Sequence, residues 1–210
     1  MSMHDRRKLF VVGNGPLPEN FAATIDAADK VVRFNEAKQP LSASGTKTDL
    51  LFLNNTGKPM QRRLNDPGYI VSPIIRSAGT IVFAYHPTTI AQYLIRPNLL
   101  SRLKGRRADW TAAALDMFGG AGKDVLILPP TFYEEGCAEL GIPAHAMRKV
   151  FPSTGYFGIR YVLREFPAQE WDIDICGFSW EGWKRHAWGN ERQWVETLAE
   201  ERRVRVWTIS

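Results

Sequence analysis

Short apolar runs recur along the chain, and their spacing predicts its architecture. KLFVVG (8–13), KVVRFN (30–35), DLLFLN (49–54), TIVFAY (80–85), DVLILPP (124–130), DIDICGF (172–178) and VRVWTI (204–209) are rich in β-branched and aromatic residues and predict seven strands. Most are apolar throughout rather than alternating, the pattern of strands buried on both faces of a parallel sheet. Helix-like segments lie near 20–28, 89–103, 108–118, 131–140, 154–166 and 187–202. The alternation predicts an α/β fold of Rossmann-like type, a mainly parallel sheet of seven strands flanked by helices. No internal repeat, low-complexity tract or linker interrupts it, so residues 1–210 are expected to form a single domain. The segment from Gly57 to Gly79 has three prolines and weak periodicity, and reads as a mobile or substrate-covering loop.

Ligands of open α/β sheets bind beyond the carboxyl ends of the strands. Those ends carry Gly13-Asn14-Gly15, Arg33-Phe34-Asn35-Glu36, Asn54-Asn55 and Gly177-Phe178. Asparagine ends three successive strands; its amide can donate and accept in a polar site, and it is equally a favoured turn residue. The stretch VVGNGPLPEN resembles a dinucleotide turn, but Pro18 stands where the fingerprint G-x-G-x-x-G needs its third glycine. Glu36 sits near the position of a ribose-binding acid, which keeps an NAD-type oxidoreductase as the least favoured reading. GGAGKD (119–124) precedes a strand instead of following one, and reads as a turn. Asp172 and Asp174 alternate within a strand, which predicts a solvent face, and no metal site is expected.

Two C-terminal stretches carry more chemistry. In FPSTGYFGIRYVL, Ser153 or Thr154 can cap a helix whose free N–H groups and dipole suit a phosphate, and Gly155 would allow close approach. An ordinary N-cap is the alternative. In GFSWEGWKRHAWGNERQWVETL, a helix starting near Ala187 turns Trp188, Val195 and Leu198 inward together with Glu191. A buried carboxylate needs a partner, and His186, in the loop before the helix, is the natural one. A carboxylate that holds an imidazole supports a general base; a purely structural His–Glu contact is the alternative.

The chain is 44% hydrophobic and 23% charged, with a net charge of +5, which favours acidic partners such as a phosphate, a carboxylated sugar or an anionic membrane surface. Arg62-Arg63, Lys104 to Arg107 and Glu201 to Arg205 read as solvated helix faces and ends. Neither an RNA-binding aromatic signature nor a DNA-reading helix accompanies them, so no nucleic acid is expected. Cys137 and Cys176 read as packed thiols. No run of about 18 apolar residues occurs and MSMHDRRKLF lacks the apolar region of a secretory signal, which predicts a cytoplasmic protein.

Taken together, these pieces resemble the sialyltransferases, glycosyltransferase family 29. VVGNGPLPENFAATIDAADKVVRFNEAKQP with GTKTDLLFLNN is similar to the family's first block, and VFPSTGYFGIRYVL leading to DICGF to its second. His186 and Glu191, with four residues between them, match the final H-x-x-x-x-E; His186 is the only histidine after the second block and could equally match an intermediate family histidine. The resemblance implies a sialyltransferase-type GT-A variant fold and metal-independent, inverting transfer of an acidic 2-keto sugar (sialic acid or Kdo type). The donor would be a CMP-sugar and the acceptor a saccharide or glycolipid, with no further cofactor. It implies that Asn35 and Asn54 contact the nucleotide above the turn Gly13, Asn14 and Gly15. Ser153, Thr154 and Gly155 would hold ribose and phosphate, and His186 would be the base, oriented by Glu191. Arg33 or Arg185 would meet the sugar carboxylate. The first strand lacks the cysteine of the membrane-anchored animal enzymes, which points to a compact bacterial relative. Short bacterial proteins of this kind carry the label of urease operon accessory proteins, so a nucleotide-binding accessory protein without transfer is the alternative.

Overall fold

The computed structural model describes residues 6–17, 20–94, 97–103 and 105–207. Pro18, Lys104 and the last residues of the strand candidate at 204–209 lie outside the described residues. Seven strands form one all-parallel sheet: β1 (Arg7–Val12), β2 (Lys30–Phe34), β3 (Leu50–Leu53), β4 (Thr80–Phe83), β5 (Asp124–Ile127), β6 (Trp171–Cys176) and β7 (Arg205–Trp207). Their order is β5-β4-β3-β2-β1-β6-β7, so the chain steps outward from β1 to β5 and returns to build the other side on β6 and β7. The order reverses between β1 and β6, where ligand crevices of open sheets open.

The helices are α1 (Ala22–Asp26), α2 (Leu41–Ser44), α3 (Gly57–Leu64), α4 (Pro73–Ser77), α5 (Pro87–Tyr93), α6 (Leu99–Leu103), α7 (Thr111–Gly120), α8 (Pro130–Glu139), α9 (Thr154–Glu165) and α10 (Trp188–Glu200). Strand side chains alternate between two cores, as the two-residue period of a pleated strand requires. On one face Leu9, Val11, Val32, Phe34, Phe52 and Val82 pack with Phe132, Tyr133, Phe157, Val162 and Val195 from α8, α9 and α10. On the other, Leu51, Leu53, Ile81 and Phe83 meet Met60, Ile74, Ile75 and Phe118 from α3, α4 and α7, and Phe10, Val12 and Val31 meet Phe21 and Ile25 beside α1. Burial on both faces explains the continuous apolar runs of the sequence. No helix among the described residues is long and apolar enough to cross a membrane.

Four expectations change. Gly57 to Gly79 is not an open loop: it forms α3 and α4, with Met60, Ile74 and Ile75 buried. Its prolines do not break these helices, because Pro59 lies in the first turn of α3 and Pro73 opens α4, where a missing N–H costs nothing. The helical segment 89–103 is two helices, α5 and α6, separated ahead of Pro97. Asp174 is buried rather than solvent-facing, and its carboxylate accepts the Trp207 indole N–H at 2.8 Å. Arg63, read as part of a solvated cluster, is 2% exposed.

Candidate active site

The turns that follow β1 and β6 pack directly on each other at the switch point. Gly13 N–H donates to the Cys176 carbonyl at 2.8 Å and Gly15 N–H to the Gly177 carbonyl at 2.6 Å. A Cβ on Gly13 would lie 2.2 Å from the Gly177 oxygen, so this glycine answers to a neighbouring backbone. Asn14 Nδ2 donates to the Phe34 carbonyl at 2.8 Å, tying the β1 turn to the end of β2. Gly13, Asn14 and Asn35 line a recess of only about 10 Å³. They form a floor.

Asn35 adopts φ 52°, a left-handed conformation that asparagine tolerates better than most residues. Its Oδ1 accepts Asn54 N–H at 3.1 Å and Arg63 Nη2 at 2.9 Å. Arg63 also donates to the Asn54 carbonyl at 2.9 Å and to Glu36, so one buried guanidinium joins the ends of β2 and β3. Burial raises the pKa of Glu36, but Arg63 and Arg62 outweigh it and hold the carboxyl below its ordinary value. Glu36 is thus an ion-pair partner of the fold, which weakens the dinucleotide reading. Asn54 bonds its own turn, its Oδ1 accepting Thr56 N–H at 2.9 Å and Thr56 Oγ1–H at 2.6 Å. Its Nδ2 has no partner among the described residues. Adjacent Asn55 is fully buried between Tyr85 and Thr111 and is structural.

The start of α9 is organised by a carboxylate. Ser153 Oγ caps the helix by accepting Tyr156 N–H at 3.0 Å. Glu191, in the first turn of α10, accepts Ser153 N–H at 2.7 Å and Ser153 Oγ–H at 2.6 Å. Glu191 is 1% exposed, and burial raises its pKa to about 7 against the two Ser153 bonds, which lower it. Thr154 and Gly155 are first-turn residues whose N–H groups have no intrahelical acceptor. Gly155 is partly exposed, and a Cβ there would meet the Phe178 ring at 2.9 Å.

The expected His186–Glu191 contact is absent among the described residues: both carboxylate oxygens of Glu191 bond Ser153 instead. His186 is oriented instead by a backbone carbonyl, its Nδ1 lying 3.1 Å from the Phe151 oxygen. A carbonyl only accepts, so the proton sits on Nδ1 and the lone pair on Nε2. Phe151 and His186 form an isolated parallel bridge, with Phe151 N–H donating to Arg185 O at 2.8 Å and Ala187 N–H to Phe151 O at 3.2 Å. This bridge fixes the imidazole two residues before the Ser153 cap. The ring stands edge-on to Trp183 and Trp188, with centroids 5.1 and 4.9 Å away. Burial lowers its pKa against the Phe151 hydrogen bond, which raises it, so the ring is neutral at pH 7 and suited to accept a proton at Nε2.

His186 and Asn54 line one cleft of about 500 Å³. Tyr85, Phe151 and Trp183 supply its aromatic walls, and Lys58, Arg106, Arg107 and Arg185 its charge, with no carboxylate in the lining among the described residues. Tyr85, whose hydroxyl donates to the Pro152 carbonyl at 3.2 Å, joins the cleft wall to the start of α9. Of the two arginines considered for a sugar carboxylate, Arg33 is buried and donates to the Ser44 and Lys47 carbonyls. Arg185 is the one in the cleft, its guanidinium 4.8 Å from the Phe151 ring centroid. Tyr85, Arg106 and Arg107 carry no local motif, and only the fold assembles them, with Phe151 and Trp183, around His186. Among the described residues no three His, Cys, Asp or Glu side chains come together as a metal-ligand set.

This architecture is that of the sialyltransferase fold. The chain superposes on a mammalian sialyltransferase in complex with Gal-beta-1-3GalNAc-ortho-nitrophenol with a TM-score of 0.58 at 18% identity, over 98% of this chain and 71% of that one. It superposes on the sialyltransferase CstII from Campylobacter jejuni in complex with CMP-3FNeuAc with a TM-score of 0.53 at 12% identity, over 95% and 78% of the two chains. No family model matches. In sequence the chain is 30% identical over 213 residues to the urease operon 23 kDa accessory protein of Rhizobium meliloti (strain 1021), covering 97% of this chain and 94% of that protein, and it belongs to that protein's family.

Proposed function

We propose that the protein is a metal-independent, inverting glycosyltransferase that moves an acidic 2-keto sugar, of sialic acid or Kdo type, from CMP to an acceptor hydroxyl. The observation that carries this reading is a neutral imidazole with Nε2 unpartnered among the described residues, held at the wall of a cleft whose charged side chains, among those residues, are all cations. His186 Nε2 takes the acceptor proton as its oxygen attacks the anomeric carbon, and the bond to the CMP phosphate breaks with its electron pair on that phosphate. The N–H groups of Thr154 and Gly155 and the α9 dipole stabilise the leaving phosphate. Asn54 and Asn35 position the nucleotide above the floor of Gly13, Asn14 and Gly15. Arg185 meets the sugar carboxylate. Glu191 acts on the phosphate end by shaping Ser153, not on the histidine. The acceptor is a saccharide or glycolipid, and the protein works in a bacterial cytoplasm.

The CMP-3FNeuAc-bound structural neighbour supports this reading, and the name of the Rhizobium relative supports a second, an accessory protein that binds CMP without transferring a sugar. Calorimetric titration with CMP, CDP, UDP and NAD tests what both share. CMP is expected to bind in preference to the others, and silence with CMP would end both readings. The two part at His186→Ala, which should keep CMP affinity and lower transfer or donor hydrolysis roughly a hundredfold to ten-thousandfold. Unchanged turnover in that variant removes His186 from the base role.

A further inference from the structure

Large apolar side chains gather in water on α6. Leu99, Leu100 and Leu103 are 72%, 71% and 77% exposed, and their spacing puts them on one face of a single turn. Other exposed apolar residues, such as Val71 and Leu126, stand apart in sequence and need no explanation, whereas three neighbours on one turn do. The turn is built rather than loose. Asn98 Oδ1 accepts Ser101 N–H at 2.9 Å, and the N–H groups of Gly105 and Arg106 return to the carbonyls of Arg102 and Ser101 at 2.9 and 3.0 Å. No residue of α6 is buried.

Cations flank these leucines. Arg102, Arg106 and Arg107 are exposed, and none has a carboxylate partner among the described residues, whereas Arg6, Arg7, Arg62, Arg160, Arg164 and Arg192 all do. From Pro97 to Trp110 the sequence holds four cations and one acid, Asp109, whose Oδ1 already accepts Thr111 N–H at 2.8 Å. A second copy of the chain would bring these arginines face to face, which like-charge repulsion opposes. An anionic bilayer suits both halves of the surface: leucines enter the headgroup–acyl boundary while guanidinium groups stay at the lipid phosphates.

We infer that α6 docks the protein on an anionic membrane. Pro97, Arg106 and Arg107 line the His186 cleft, and Trp183, 53% exposed, lines it too, so the cleft opens beside the docked surface. Resting on the transferase reading, this puts the acceptor on a lipid; the docking itself does not rest on it, and its test contains no nucleotide.

The test is co-sedimentation of the full chain with vesicles of phosphatidylcholine containing one-third phosphatidylglycerol, against phosphatidylcholine alone. Binding is expected to the anionic vesicles and to weaken as salt rises. Replacing all three leucines (Leu99→Ser, Leu100→Ser, Leu103→Ser) should weaken it by about tenfold or more with far-UV circular dichroism unchanged. Arg106→Gln and Arg107→Gln, outside the helix, should each cost roughly fivefold at low salt. No binding to anionic vesicles overturns the inference, as does equal binding by the serine and glutamine variants. A solution dimer that the serine variant dissociates would give this face to a second copy instead, and an acidic protein partner would be indicated if only the arginine variants lost binding to an acidic polypeptide while vesicles never bound.

Discussion

Gly13–Gly15 and Ser153–Gly155 look interchangeable in sequence, since each offers small residues at a turn where a phosphate could approach a backbone. In the fold they differ in what becomes of their N–H groups. Those of Gly13 and Gly15 are spent on the carbonyls of Cys176 and Gly177, so the first turn is sealed against β6. Those of Thr154 and Gly155 have no partner among the described residues, whereas that of Ser153 is taken by Glu191. A glycine in a sequence reports that something comes close. In both turns that something is protein, the Gly177 carbonyl at Gly13 and the Phe178 ring at Gly155, so it is the fate of the N–H groups that separates the two turns.

The comparison is most easily broken at Gly13. Gly13→Ala would set a methyl group 2.2 Å from the Gly177 oxygen and 2.9 Å from the Phe178 ring, and neither backbone nor packed ring can yield cheaply. A loss of about 3 kcal/mol is expected in urea unfolding. An unshifted midpoint with lost CMP binding would return this glycine to the ligand.

Glu191→Ala should come next, at about 2 to 3 kcal/mol, because it orphans the buried Ser153 N–H. Ser153→Ala removes the cap and should cost about 1 kcal/mol. The double variant should fall well short of the sum, since both act on one network; strict additivity would dissolve that network.

The pH dependence of stability isolates the same carboxylate. Burial raises the Glu191 pKa from 4.5 to about 7, so across that window the folded chain binds a proton that the unfolded chain releases. The group's contribution to stability therefore falls as pH rises from about 4.5 to 7, and is constant outside the window. Glu191→Gln should flatten this slope, and a slope identical in both proteins would refute the assignment. A phosphate at Thr154 and Gly155 would lie near the carboxylate, so CMP affinity should also decline as pH rises above 7.

The smallest effect is expected at a third glycine-rich stretch, GGAGKD. Gly119, near the end of α7, has no neighbour within 4 Å of an added Cβ, so Gly119→Ala should stabilise by about 0.5 kcal/mol through helix propensity alone. A clear destabilisation would show that this glycine, too, has an unseen partner.

All seven strands were legible in the sequence: most are largely apolar runs of four to six residues, the mark of parallel strands buried on both faces, while β6, interrupted by Asp172 and Asp174, and three-residue β7 showed through their β-branched and aromatic residues. The helices at 57–64 and 73–77 were not, since prolines at helix starts look like loop residues until the first turn is identified. Glu191 was legible as a buried carboxylate from its place on the apolar stripe of α10. Its partner was not: His186 lies five residues away and Ser153 thirty-eight, and sequence proximity favoured the wrong one. Asn54 and Asn55 are the same residue type at one strand end, yet one faces the cleft and the other is fully buried.

The sequence by itself determined the parallel α/β sheet, its strand positions and the inward turn of Glu191, because each follows from the periodicity of polar and apolar residues along a short stretch. Only the tertiary structure decided who meets whom: Glu191 with Ser153, His186 with the Phe151 carbonyl, Arg63 with the ends of β2 and β3, and Gly13 with Gly177. Those pairings join segments far apart in the chain, and no local pattern encodes the distance between two side chains that meet only when the sheet closes.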